Sequence, residues 1–307
     1  MRKEFIETLI TLAEKDENIY LLNGDLGFSF LEEFAKKFPD RYVNCGVAEQ
    51  NMIGVATGLA MEGKKVYVYS IIPFAVFRCF EQIRNDITYH DLDVKIIGAG
   101  AGFAYGTHGA THFAVEDIAV LRVLPNLTIL SPADPIEMVQ LVLQSGQTKN
   151  PTYIRLDKNT KKLHQPNDKI VMGKPSILKN GKDGVIITIG SYLDTIINVQ
   201  KRLAEKRHTL KVLHLHTIKP INEKALLLEL AGQKIIFTIE EHKLAGGIGT
   251  IIGEILLKNN IKNVILKSIG VKEGYPSVIG KQDYMRKYYN IDEDSVYKKI
   301  LTELGKR

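Results

Sequence analysis

A single carboxylate, Glu49, stands in the segment 45–55, where a short apolar strand leads into an apolar helix. A side chain in that position is shielded from water, and burial raises the pKa of a carboxyl group. The pattern therefore indicates that Glu49 could hold a proton at neutral pH and share it with a ring nitrogen of a bound ligand. The alternative is an acidic residue that only stabilises the N-terminus of its helix.

Two aromatic residues, Phe74 and Phe77, stand at the junction between the next strand and the next helix. An aromatic face at that edge of a sheet could stack on a planar heterocycle. A pair with helical spacing is also typical of core packing, so both interpretations stay open.

A glycine-dense loop over 98–106 follows a third strand and leads to His108 and His112. No helix follows the glycines at once, which excludes a dinucleotide-binding fingerprint, but glycines let the backbone approach a ligand closely. The two histidines have no third histidine or cysteine beside them, which argues against a zinc site. They favour a polar substrate pocket, with solvated loop residues as the alternative.

Two further positions could bind anions. Arg155 ends a predicted strand, where a guanidinium can hold a phosphate through two hydrogen bonds, although a surface pair with Asp157 explains it equally well. The glycines of 246–249 follow Glu240-Glu241-His242 and either expose a helix N-terminus or form a tight turn at a domain or subunit contact.

Helices and short buried strands alternate along the chain and would carry these residues. The predicted strands are 19–22, 41–44, 66–70, 94–98, 128–130 and 152–155, then 185–189, 211–214, 234–239 and 263–267. The predicted helices are 5–13, 29–38, 48–62, 74–90, 116–122 and 134–145, then 192–206, 222–230, 247–258 and 293–305. The predicted fold class is α/β, with domains over 1–165 and 184–307, joined by a linker over 166–183. Each domain should contain a mostly parallel sheet covered by helices, with ligands at the carboxyl ends of the strands.

The composition excludes several classes of protein. The 307 residues carry a net charge of +6, but lysine and arginine are dispersed, which suits anionic substrates and disfavours nucleic acid. Cys45 and Cys79 lack metal-ligand spacing and indicate a reducing compartment. We find no leader pattern and no run of about 18 apolar residues, and therefore expect a cytoplasmic protein that does not enter a membrane.

Eight short motifs, taken in order, strongly resemble the C-terminal half of transketolase. They are Asn23-Gly24-Asp25, Gly46-Val47-Ala48-Glu49-Gln50-Asn51, Phe80-Glu81-Gln82-Ile83-Arg84, Thr111-His112, Glu116-Asp117, Pro132-Ala133-Asp134, Thr217-Ile218-Lys219-Pro220, and Glu240-Glu241-His242 with Gly246-Gly247-Ile248-Gly249. The resemblance covers almost the whole chain. It implies a pyrimidine-binding domain followed by the transketolase C-terminal domain, as in transketolases split into two subunits.

The resemblance implies thiamine diphosphate as the cofactor. Glu49 matches the catalytic glutamate that contacts the aminopyrimidine ring and promotes its imino tautomer. Phe74, with Phe77 second, matches the aromatic shelf beneath that ring. Arg78 and Gln82 are expected to bind the cofactor on the same match.

The resemblance also implies substrate residues. His112 matches a histidine of the substrate channel and is expected to be catalytic, and Arg155 matches an arginine that binds the donor's phosphate in the related synthases. His108 and Asp25 are expected to contact substrate as well. Where relatives usually carry Asp-Gly-Pro-Thr-His, this chain has an imidazole at position 108 and alanine at 110, and Gly100 replaces another histidine of transketolases. We therefore expect a sugar donor that is bulkier or differently substituted than xylulose 5-phosphate, such as one carried on a nucleotide.

The family's signature for magnesium and diphosphate, Gly-Asp-Gly followed by an asparagine, is not found in this sequence. We therefore expect no metal ligand on this chain, and a separate alpha subunit that holds Mg²⁺ or Ca²⁺ and forms an α2β2 heterotetramer with it. The expected reaction is transfer of a two-carbon ketol unit between sugars. The alternatives are a 2-oxoacid dehydrogenase beta chain, acyl transfer like that of deoxyxylulose-phosphate synthase, and a non-catalytic scaffold or regulatory partner.

Overall fold

Alternating strands and helices build two sheets in the computed structural model, which describes residues 1–158 and 161–306. The strands over these residues are β1 (Ile19–Asn23), β2 (Tyr42–Asn44), β3 (Lys65–Ile71), β4 (Val94–Ala99), β5 (Thr128–Leu130), β6 (Thr152–Leu156), β7 (Ser176–Lys179), β8 (Val185–Thr188), β9 (Lys211–His214), β10 (Thr217–Lys219), β11 (Ile235–Lys243) and β12 (Ile265–Val271). The helices are α1 (Arg2–Ala13), α2 (Glu32–Lys37), α3 (Glu49–Met61), α4 (Phe80–Gln82), α5 (Asp117–Leu121), α6 (Pro135–Gly146), α7 (Leu193–Glu205), α8 (Glu223–Leu230), α9 (Ile248–Lys258), α10 (Gln282–Tyr288) and α11 (Glu293–Leu304). The predicted α/β class with two mostly parallel sheets is confirmed.

The first sheet has the strand order β10-β5-β6-β4-β3-β1-β2, and only β10 runs antiparallel to its neighbour. Side chains of a strand alternate between its two faces, which β3 shows clearly. Val66 and Val68 pack in one cluster with α3, whereas Tyr67 and Tyr69 pack in another with α1 and α6. Both faces are therefore covered, as a parallel sheet requires.

The second sheet has the order β12-β11-β8-β9-β7, and β7 runs antiparallel to β9. Strand β7 lies inside the range predicted as a linker, and β10 lies in the range of the second predicted domain but extends the first sheet. The proposed limits of 1–165, 166–183 and 184–307 stay a prediction.

The helix predicted over 74–90 departs from regular α-helical geometry. Residues Pro73–Phe77 and Ile83–Thr88 are π-helical, and α4 lies between them. Wide turns of this kind are frequent at functional sites, because they change the direction in which side chains point.

In the described part of the chain, no helix is long and apolar enough to cross a membrane.

Candidate active site

The expected site residues follow the carboxyl ends of parallel strands. Asp25 comes after β1, Glu49 begins α3 after β2, Phe74 and Arg78 follow β3, and the glycine loop follows β4. Because β2, β1, β3 and β4 are neighbours in this order, these segments lie along one edge of the sheet.

Glu49 is buried, with 1% of its side chain exposed. Its Oε2 accepts a hydrogen bond of 2.5 Å from Nη1 of Arg78, while Oε1 has no hydrogen-bond partner among the described residues. Gly24 packs against the same side chain, since a Cβ atom there would lie 3.2 Å from Glu49 Cγ. The Glu49 carboxylate therefore has one oxygen paired with Arg78 and one unpaired oxygen, and the backbone of Gly24 lies close to this side chain.

Arg78 and Phe74 continue the site. The guanidinium carbon of Arg78 lies 4.6 Å from the centre of the Phe74 ring, and 45% of the arginine side chain is exposed. The Phe74 ring lies 5.2 Å from the ring of His112 in an edge-to-face arrangement. The carboxylate, the aromatic face and the histidine loop are thus in contact through these two side chains.

The histidine loop carries two adjacent imidazoles. The rings of His108 and His112 lie 5.0 Å apart, and Thr111 Oγ1 lies 2.9 Å from Nδ1 of His112. Partial desolvation, and secondly the charge of His108, lower the pKa of His112. A histidine with a lowered pKa stays neutral near pH 7 and can accept a proton.

Tyr105 and Lys158 join this loop, and neither residue was identified from the sequence. The Tyr105 ring lies 5.7 Å from that of His108, and the ammonium of Lys158 lies 4.0 Å from the centre of the tyrosine ring. A Cβ atom at Gly100 would lie 2.2 Å from the Tyr105 ring, so the tyrosine occupies the space beside that glycine. In the sequence, the one feature that could have identified Tyr105 as a site residue is its position within the glycine-dense loop over 98–106.

Asp25, Gln82 and Phe77 have different surroundings. Asp25 Oδ1 accepts a hydrogen bond of 2.9 Å from Asn44 Nδ2, which places it at the carboxyl ends of β1 and β2. Gln82 has a buried Oε1 without a hydrogen-bond partner among the described residues. Phe77 lines a cavity of about 240 Å³ together with Phe103 and other side chains, and Phe74 is the aromatic residue that contacts Arg78.

Arg155 does not join this cluster. Its Nε pairs with Asp117 Oδ2 at 2.9 Å, its Nη2 donates to the carbonyl oxygen of Ala114 at 2.8 Å, and only 4% of its side chain is exposed. The ion-pair partner is therefore Asp117, whereas Asp157 accepts a hydrogen bond from Ser191. Because Asp117 also accepts from the Tyr153 hydroxyl at 2.7 Å, this group stabilises the protein interior.

The glycines of 246–249 lie at a helix N-terminus that a carboxyl group already occupies. Glu240 accepts hydrogen bonds from the backbone of Ile248 at 2.9 Å and Gly249 at 3.2 Å, and burial raises its pKa to about 8. This arrangement favours the tight turn over an anion site. The neighbouring Glu241 accepts from the backbone N–H of Phe103 at 2.6 Å and thereby connects β11 to the glycine loop.

Comparisons with known proteins agree with this architecture. Residues 1–162 match the transketolase pyrimidine-binding domain, and residues 173–296 match the transketolase C-terminal domain. The chain is 36% identical over its whole length to a protein of Methanocaldococcus jannaschii provisionally named transketolase C-terminal section, and covers 96% of it. It is 35% identical to one subunit of the apulose-4-phosphate transketolase of Phocaeicola vulgatus, over 98% of this chain and 96% of that one.

A solved structure is also similar. The structure of a split gene transketolase, an inactive beta4 tetramer, matches with a TM-score of 0.87 and 31% identity over 99% of this chain and 97% of that one. Fold, site and matches together define a pyrimidine-binding subunit of the α/β class. The chain belongs to the transketolase family, and it is a transketolase-like transferase that forms one subunit of a split enzyme. The predicted family is confirmed, and membership implies dependence on thiamine diphosphate.

The residues at the sheet edge fit the aminopyrimidine half of that cofactor. Glu49 offers Oε1, and Phe74 offers an aromatic face. A planar ring with nitrogen donors and acceptors satisfies groups of these kinds. Within residues 1–158 and 161–306, no group of three histidine, cysteine or acidic side chains is arranged to hold a metal ion.

Proposed function

We propose that this chain holds the pyrimidine half of thiamine diphosphate in a two-subunit enzyme that transfers a two-carbon ketol unit between sugars. The observation that carries the proposal is the buried Glu49 with an unpaired carboxylate oxygen, connected to Phe74 through Arg78. A carboxylate oxygen without a protein partner on an otherwise buried side chain is available to accept a hydrogen bond from a ligand. His112, whose ring lies 5.2 Å from that of Phe74, would then face the reacting sugar together with His108.

Glu49, Phe74 and His112 each have a defined task in the proposed mechanism. When bound, thiamine diphosphate supplies the carbon nucleophile and the electron sink. Glu49 would exchange a proton with the aminopyrimidine nitrogen through Oε1, and Phe74 would hold the ring by stacking. His112, neutral because its pKa is lowered, accepts a proton from a sugar hydroxyl.

We infer that a separate subunit completes the site. Diphosphate and its metal need several oxygen ligands, and the sequence offers no diphosphate signature. The relative from Phocaeicola vulgatus is named as one subunit of its enzyme, which supports a partner subunit. We propose that this partner holds Mg²⁺ or Ca²⁺ and that the two chains form an α2β2 assembly in the cytoplasm. A scaffold without turnover would not need a buried carboxylate at this edge.

The altered histidine loop supports a donor other than xylulose 5-phosphate. His108 carries an imidazole where the resemblance implies a carboxylate, and Tyr105 fills the space beside Gly100. A pocket that recognises hydroxyl groups discriminates strongly between sugars. We leave Arg155 out of the proposed substrate site, because its Nε is engaged with Asp117, its Nη2 is engaged with backbone carbonyl groups, and its side chain is buried.

Glu49→Gln tests the proposed function without knowledge of the donor. The amide is nearly isosteric but cannot exchange the proton, so cofactor activation should fall by about a hundredfold or more in the complete two-subunit enzyme. The measurement is the rate at which the thiazolium C–H proton exchanges for deuterium, followed by NMR after acid quench.

Glu62→Gln is the matched control, because Glu62 is exposed beyond the other end of the same helix. We expect wild-type exchange for this variant. Rapid exchange in the Glu49→Gln enzyme would show that Glu49 is structural and would overturn the proposed function.

A further inference from the structure

Arg78 contacts the same two side chains, Glu49 and Phe74, to which the proposed function assigns the aminopyrimidine ring, although it pairs with Oε2 of Glu49 and leaves Oε1 free. Its planar guanidinium donates to Glu49 Oε2 at 2.5 Å and lies over the Phe74 ring at 4.6 Å. A guanidinium resembles the ring in the relevant respects, since it is flat, delocalised and rich in N–H donors. A ring stacked on this face of Phe74 would need the space that the guanidinium fills.

The two partners of this ion pair differ in their freedom to move. Glu49 is 1% exposed, whereas Arg78 is 45% exposed. A buried carboxylate that loses its partner is strongly disfavoured, but an arginine at the surface exchanges protein contacts for water at little cost. Arg78 is therefore the movable member of the pair, and Glu49 is the fixed one.

The backbone of Arg78 is held independently of its side chain. Its N–H donates to the carbonyl of Pro73 at 3.2 Å, and its own carbonyl accepts from Gln50 Nε2 at 3.1 Å. The guanidinium can therefore leave Glu49 and Phe74 by rotation about side-chain bonds while the π-helical segment stays in place.

We propose that Arg78 is a placeholder for the aminopyrimidine ring, so that the guanidinium and the ring exchange on Glu49 and Phe74 when the cofactor binds. This inference rests on the proposed function, and it gives Arg78 a role as competitor of the ring in place of the cofactor contact that the resemblance implies. The guanidinium keeps the buried carboxylate paired whenever the ring is elsewhere. The apparent affinity for the cofactor is then reduced by the fraction of molecules in which Arg78 covers the site.

Titration of thiamine diphosphate with Mg²⁺ into the two-subunit complex tests the exchange, with calorimetry as the readout. Arg78→Ala removes the competitor and should tighten binding by at least about threefold. Arg78→Lys keeps the charge without the planar group and should fall between Arg78→Ala and the wild type. Arg84→Ala is the control, since Arg84 lies further along the same segment and donates to Asn85 at the surface.

Equal or weaker binding by Arg78→Ala would overturn the inference, because an arginine that binds together with the ring adds affinity. A wild-type complex that binds no thiamine diphosphate would instead overturn the proposed function, and the inference with it. Combination with Glu49→Gln adds a second check, since the gain from Arg78→Ala should shrink when no ion pair exists to be broken.

A crystal structure of the loaded wild-type complex decides the question if Arg78→Ala fails to fold. We expect Nη1 of Arg78 beyond hydrogen-bond distance of Glu49 Oε2 and the guanidinium off the Phe74 face. A guanidinium still on both groups beside a bound ring would overturn the inference.

Discussion

His108 and His112 are neighbours with different surroundings, and in the proposed mechanism this difference favours His112 as the proton acceptor. His112 is half-buried against Phe74, whereas His108 is exposed. Desolvation and the charge of His108 both lower the pKa of His112. The imidazole of His112 therefore stays neutral, and able to accept a proton, to a more acidic pH than an ordinary histidine.

Replacement of His108 should move the acid limb of the pH–rate profile. His108→Asn removes a positive charge 5.0 Å from the His112 ring, so the pKa of His112 should rise and activity should begin to fall at a higher pH. The measurement is the dependence of kcat/KM on pH in the two-subunit enzyme. His90→Asn, which replaces an exposed histidine beside Tyr89, should leave the limb unchanged. An unmoved limb in His108→Asn would show that another group titrates.

At the scale of elements, the pair of Arg155 on β6 and Asp117 on α5 connects a strand to a helix inside the protein. Asp117 is fully buried, so Arg155→Met would leave a carboxylate without its cation. We expect a loss of about 3–5 kcal/mol in the free energy of unfolding, measured with denaturant. Arg202→Met breaks surface pairs with Glu293 and Asp294 and should cost less than about 1 kcal/mol.

An Arg155→Met variant with wild-type stability would contradict this interior role. A folded variant with an unchanged free energy of unfolding and a raised KM for a phosphorylated donor would return Arg155 to the substrate site. Arg155→Lys keeps the charge and should recover only part of the lost stability, because an ammonium cannot reproduce the fork of hydrogen bonds that a guanidinium donates.

The elements that carry the site could be predicted from the sequence. Strands β3 and β4 are mostly apolar and almost entirely buried, as expected for central strands covered on both faces. The junction after β3 placed Phe74 at the sheet edge, and the apolar helix after β2 placed Glu49 there, because parallel strands end at a common edge.

Other elements could not be read from local patterns. Strand β7 is an edge strand with alternating exposure in a polar stretch, and β10 has only three residues. The π-helical turns around α4 do not follow the 3.6-residue period on which the helix prediction relied. The ion pairs Glu49–Arg78 and Arg155–Asp117 join residues far apart in sequence, so the spacing of residues along the chain could not predict these contacts.

At the scale of the whole molecule, we expect a narrow choice of donor sugar. Reconstituted enzyme should use xylulose 5-phosphate with ribose 5-phosphate at a kcat/KM below about 10⁴ M⁻¹s⁻¹, the lower end of ordinary enzyme efficiency. The physical reasons are the imidazole of His108, where the resemblance implies a carboxylate, and the bulk of Tyr105 beside Gly100. Efficient turnover of this pair in a coupled assay would show that the loop does not redirect the donor.

Cofactor binding by the separate and the mixed subunits tests the central claim most directly, namely that this chain supplies the pyrimidine half of a shared site. Thiamine diphosphate with Mg²⁺ is titrated by calorimetry into this chain, into the partner that carries the diphosphate signature, and into their mixture. We expect tight, saturable binding only in the mixture, and weaker binding when Glu49→Gln replaces the wild-type chain. Tight, magnesium-dependent binding by this chain alone would contradict the shared site.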